Sequence, residues 1–147
     1  MPEKATLQRV DKDRREGKAP STQAGEFVRE EIEHVREGKH GARSSRQAIA
    51  IGLSKARRAG VALPPPRKGA TSRRTRRQAV RDARAGSRAV STRRSRATLR
   101  ALTREGRVAG SRDALSRQGR KAAARRSKRS RSRAASRAAA TRKRGGR

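Results

Sequence analysis

Cysteine, tryptophan and tyrosine are absent from this chain, and Phe27 is its only aromatic residue. Without thiols there is neither a disulfide nor a thiolate metal site. Without aromatic platforms there is nothing for bases to stack on, which argues against an RNA-recognition or single-strand stacking module. Large apolar side chains are scarce too. Hydrophobic residues make up 30% of the chain, many of them alanine, and charged residues 38%. That balance favours disorder over a sizeable core. No run of 18 apolar residues exists, so no membrane insertion is expected. The opening MPEKATLQRVDKDRR includes acids and lacks an apolar segment, which reads as a cytoplasmic protein with no signal peptide. Neither a P-loop nor a dinucleotide-binding glycine pattern occurs. No enzyme activity and no cofactor are implied.

The most telling scarcity is of negative charge. Lys and Arg number 44 against 12 Asp and Glu, a net of +32. Residues 1–66 hold 14 basic and 9 acidic groups, whereas residues 67–147 hold 30 basic groups and only Asp82, Glu105 and Asp113. A GC-rich coding bias would inflate Arg, Ala and Gly, but it would not remove Asp and Glu. A block of this sign reads as an interaction tail for polyanions, of which nucleic acid is the most abundant. Of its 30 cations 26 are Arg, whose planar guanidinium pairs with phosphate in bidentate fashion.

Helix signals organise the chain. Arg15-Glu16-Gly17-Lys18, Arg36-Glu37-Gly38-Lys39 and Arg104-Glu105-Gly106-Arg107 each precede a Ser or Thr that suits an N-cap. Each reads as helix end, short loop, new helix. Residues 1–20 are expected to be a flexible or short helical arm, and residues 21–63 a helical hairpin. Its first helix, about 22–37, places Ala24, Val28, Ile32 and Val35 on one stripe with Phe27 at its edge. Glu26, Glu30, Glu33 and Glu37 fall opposite, towards solvent, a basic partner or the tail. The second helix, about 45–59, opens at Ser44 with Gln47 in capping-box position. Its strip of Ala48, Gly52, Ala56 and Ala59 suits close approach to the first. Some 43 residues is near the lower limit for independent folding, so a homodimer through the hairpin is a natural remedy.

Pro64-Pro65-Pro66 begins a linker over 64–70. Residues 71–126 read as basic and partly helical, and residues 127–147 as a disordered basic end. The expected fold class is therefore all-α, a short helical hairpin followed by a proline spacer and a largely disordered basic tail with transient helices. Arginine repulsion would keep those helices frayed until phosphate neutralised them.

The segment QAGEFVREEIEHVREGKHGARSSRQAIAIGLSKARRAGVALPPP, residues 23–66, resembles a family of small basic bacterial proteins of unknown function, often labelled DNA-binding or histone-like. RRSRATLRALTREGRVAGSRDALSRQGR, residues 93–120, looks like the second half of such proteins. The resemblance implies a nucleoid role but carries over no functional residue. More loosely, the tail is similar in composition to linker-histone tails, though Arg-rich and poor in Lys-Pro repeats.

These readings converge on a nucleoid-associated, histone-like protein that binds DNA without sequence preference by neutralising phosphates. RNA or ribosome association is the alternative. The hairpin's candidate contacts are Arg43, Arg46, Lys55, Arg57 and Arg58. After the spacer they are Arg73, Arg74, Arg76 and Arg77, then Arg93, Arg94 and Arg96. Towards the end come Arg125, Arg126, Lys128, Arg129, Arg131 and Arg133, then Arg142, Lys143 and Arg144. A helix, loop and helix between residues 22 and 59 invites comparison with a helix-turn-helix, but such hairpins are usually only packing units. His34 and His40, on either side of Gly38 with no partner at i+4, read as exposed or loop histidines.

Overall fold

Residues 1–86 and 91–145 are described by a computed structural model, and every regular element among them is helical. The chain divides into two units, Met1–Ser111 and Arg112–Arg147. The first holds α1 (Lys4–Arg15), α2 (Pro20–Glu37), α3 (Ser45–Arg58), α4 (Arg73–Ala85), α5 (Thr92–Thr103) and a 3₁₀ turn, Val108–Gly110. The second holds α6 (Arg112–Ala124) and α7 (Lys128–Gly145).

Local chemistry explains the boundaries. α2 begins at Pro20, ahead of the expected Thr22, because proline's fixed φ and missing N–H suit a first helical turn. α1 and α2 end alike. Gly17 and Gly38 adopt φ of 67° and 78°, and the N–H groups of Gly17 and Gly38 return to Arg14 and Val35, those of Lys18 and Lys39 to Asp13 and His34. α3 is capped as its sequence suggests. Ser44 Oγ accepts from Gln47 N at 3.2 Å, and Gln47 Oε1 accepts from Arg43 N at 2.8 Å.

α2 and α3 form the hairpin, and its small-residue strip makes the contact. Ala48 and Ala56 are fully buried, and a Cβ at Gly52 would lie 2.6 Å from Val28 Cα. Phe27 is the centre of the core, not its edge, packed with Val10, Ala24, Ala56 and Val61.

Two further segments complete the first unit. α1 lies against the side of α2 that carries Glu26 and Glu30, which is why Glu30 is buried instead of solvated; Glu31 is buried beside Lys55 of α3 and His40. The stretch 102–110 docks on the α2–α3 loop. Gly41 N donates to Leu102 O, Ala42 N to Gly106 O, Ser45 Oγ to Ala109 O and Arg36 Nε to Gly110 O. A Cβ at Gly41 would fall 1.8 Å from Glu105 O, so only glycine fits there. The covering that the hairpin needed is thus supplied by its own chain.

The expected largely disordered tail is overturned, because helix occupies most of it. Ser72 Oγ caps α4 by accepting from Thr75 N, and Ser127 Oγ accepts from Ser130 N at the start of α7. Asp113 sits in the first turn of α6, where a carboxylate complements the helix dipole. Arg and Ala are among the strongest helix formers, and that propensity outweighs the lack of core-forming side chains. The disordered end expected over 127–147 is replaced by α7, with residues 146 and 147 outside the described residues.

Candidate functional site

Every carboxylate before the end of the proline spacer finds a cation, whereas among the described residues most cations beyond it find no carboxylate. α1 and α2 are joined by Arg9–Glu26, and Asp13 pairs with Lys18. Glu16 pairs with Lys12 and Lys18, Asp11 with Arg14, Glu33 with Arg29 and Glu37 with Lys39. Glu3 receives His34 Nε2 and Lys39 Nζ, both at 2.8 Å. Lys55 Nζ reaches Glu30 Oε1 at 3.2 Å and Glu31 Oε2 at 2.7 Å. All nine acids before the proline spacer are thereby paired.

Three acids have their pKa lowered: Glu16, chiefly by the hydrogen bond from Lys18, and Glu3 and Glu30. Hydrogen bonds from Lys39 and then His34 hold Glu3 down at about 2. At Glu30, burial pushes the pKa up, but hydrogen bonds from Glu3 N–H and Thr6, with the Lys55 charge, outweigh it and the net direction is down.

After the spacer the three acids have structural duties. Asp82 is buried and accepts from Ser54 Oγ at 2.8 Å and Gln78 Nε2 at 2.9 Å, tying α4 to α3. Glu105 lies 3.9 Å from Arg43, and Asp113 sits at the start of α6. Among the described residues, no arginine of α4, α5, α6 or α7 pairs with a carboxylate, and all of them are exposed.

Most of the residues expected to contact phosphate lie on this open surface. Arg73, Arg74, Arg76 and Arg77 occupy α4, and Arg93, Arg94 and Arg96 occupy α5. Arg125 and Arg126 follow α6, and Lys128, Arg129, Arg131, Arg133, Arg142, Lys143 and Arg144 project from α7. On the hairpin, Arg43 and Arg46 are exposed and Arg58 is half-buried. Two of the expected contacts turn inward. Lys55 is taken up by Glu30 and Glu31. Arg57 is buried, donates to Leu53 O and Pro64 O, and lines a cleft of about 360 Å³ with Val61, Leu63, Pro64, Pro65 and Ala83. Desolvation lowers its pKa against the pull of Asp82.

Sequence reasoning missed one cluster. The expected loop histidines meet edge to face, with ring centroids 5.9 Å apart, and His40 is buried. Glu31, His34 and His40 bring one donor atom each within 4.8 Å of one another. The spacing held a signal, since Glu31 and His34 are one helical turn apart and Gly38 reverses the chain that carries His40.

A family profile described as "Family of unknown function (DUF6496)" is similar to this chain over residues 5–68. The matched stretch spans α1, α2, α3 and the proline spacer and stops short of α4. No curated protein and no solved structure matches the chain. No helix among the described residues is long and apolar enough to cross a membrane.

Proposed function

We propose that this chain binds DNA without sequence preference, as a histone-like, nucleoid-associated protein acting by phosphate neutralisation and compaction. The observation that carries the reading is the segregation of charge. The segment up to the proline spacer neutralises its own acids, while the exposed arginines of α4, α5 and α7 have no carboxylate to satisfy them. An array of free guanidinium groups gains most from a polymer with one negative charge per ~1.7 Å of duplex axis. Phosphate contacts position a protein without reading bases, and a helical scaffold holds these groups in register at little further ordering cost.

The test is a mobility-shift titration with the full chain on unrelated duplexes of equal length and on an RNA duplex of the same length. The reading expects equal affinity across the DNA sequences and preference for DNA over RNA. Replacing Arg125, Arg126, Lys128 and Arg129 with Gln should weaken binding to every duplex by the same factor. Preference for RNA would move the assignment to an RNA- or ribosome-associated role. An unchanged affinity in the fourfold variant would remove the basic helices from the mechanism.

A further inference from the structure

Glu31 poses an electrostatic problem that the protein's own side chains only half resolve. It is fully buried, and neither of its oxygens accepts a hydrogen bond of good geometry. Lys55 Nζ touches Oε2 at 2.7 Å as an ion-pair partner. The other oxygen faces His40 Nε2 at 3.3 Å.

Hydrogen-bond partners fix the histidine tautomers. His40 Nδ1 lies 3.0 Å from the carbonyl oxygen of Gly41. A carbonyl only accepts, so Nδ1 carries the proton and Nε2 of the neutral ring presents a lone pair. In that tautomer the lone pair points at the Glu31 oxygen 3.3 Å away, so a metal ion between them would be shared by both. His34 is prepared in the same way. Its Nε2 lies 2.8 Å from Glu3 Oε1, and an ionised carboxylate only accepts, so Nε2 carries the proton and the other nitrogen is left as a donor to metal. Each imidazole thus gives its N–H to an oxygen outside the cluster, the outer-shell arrangement that orients metal-binding histidines.

We infer that Glu31, His34 and His40 form a binding site for a divalent transition-metal ion of the zinc class. Two imidazoles and one carboxylate suit zinc, whereas magnesium and calcium favour all-oxygen sites. Tetrahedral zinc with bonds of ~2.0–2.1 Å places neighbouring donor atoms about 3.3 Å apart, the separation already present between Glu31 and His40. The three donor atoms lie within 4.8 Å of one another, so they need draw in by no more than about 1.5 Å to reach that separation. Water completes the fourth position. The loop that brings His40 is held from outside, because Gly41 N donates to Leu102 O and Ala42 N to Gly106 O. Bound metal would join α2 to the α2–α3 loop and act as a staple, a common remedy for folds with so small a core.

The test uses the full chain without an affinity tag near neutral pH. Cobalt(II) is added as a spectroscopic probe and displaced by zinc, and thermal midpoints are recorded with and without zinc. One ion per chain is expected, with a visible cobalt band that zinc abolishes and a higher midpoint in zinc. His34→Gln, which alters a mostly buried side chain outside the apolar core, should abolish the band while circular dichroism stays helical. Glu3→Gln should weaken zinc binding ~10–100-fold without abolishing it, as outer-shell changes do. The inference is overturned if the wild-type chain shows neither cobalt band nor zinc-dependent midpoint. It is equally overturned if His34→Gln binds zinc as tightly as wild type, or if NMR shows a proton on His40 Nε2 in saturating zinc.

Discussion

Lys55 is the cation that two buried carboxylates share, and with it every acid ahead of α4 has a partner. Removing it leaves Glu30 and Glu31 facing each other's field in a desolvated site. Losing one partner of a buried ion pair costs about 3–5 kcal/mol, so Lys55→Ala should lower the urea midpoint by an amount equivalent to about 3 kcal/mol. Arg46→Ala, on an exposed side chain of the same helix, should stay within about 0.5 kcal/mol. Equal effects would mean that Lys55 is no more than a surface charge. The acids also set a direction for pH dependence. The pKa values of Glu3 and Glu30 are lowered on folding, so each adds stability above its unfolded value and loses it as pH falls through the folded one. For Glu3 that window runs from 4.5 down to about 2. Thermal midpoints should fall through this range, and Glu3→Gln should flatten part of the decline. A midpoint that rises on acidification would contradict these pairings.

At the scale of elements, the docking of stretch 102–110 decides whether the first unit is more than a hairpin. Gly41→Ala would push a methyl group into Glu105 O, which a Cβ would approach to 1.8 Å. Overpacking against backbone costs about 1–3 kcal/mol. Limited proteolysis should then cut near residues 104–107 sooner than in wild type, while α2 and α3 stay protected. Unchanged protection of 104–107 would show that this stretch docks by some other route. Asp82→Ala removes the acceptor for Ser54 and Gln78, and α4 should exchange its amides faster for the same reason. These contacts also mark what the sequence could and could not reveal. The hairpin was legible because Ser44, Gly38 and the strip Ala48, Gly52, Ala56 encode caps and close approach locally. α1's position was not, since it is fixed by ion pairs and one valine, Val10, and not by an apolar stripe. The docking of 102–110 rests on backbone hydrogen bonds, which leave no hydropathy signal. Tail helicity is hidden in the sequence because the scarcity of apolar residues masks the helix propensity of Arg and Ala. The Glu31–His34–His40 cluster depends on a loop reversal, and residues on either side of a glycine stop do not declare which way they fold back.

For the whole molecule, the segregation of charge matters more than its total. A net of +32 spread evenly would repel itself everywhere. Here most of the acids are spent among the first three helices, and the remaining cations stand on helices with few other duties. On the proposed reading the helices stand before any ligand binds, so helix content should change little when DNA is added. A large gain in helical circular dichroism on binding would favour folding on contact instead.

The central claim is that binding is the exchange of small cations for these guanidinium groups. It is tested most directly by the affinity of the full chain for duplex DNA across a series of potassium chloride concentrations. If about ten phosphates are neutralised, log K should fall with log salt at a slope of roughly −9, and the fourfold Gln variant should lower that magnitude by about 0.9 per lost contact. A slope near zero, or one that the variant leaves unaltered, would contradict it.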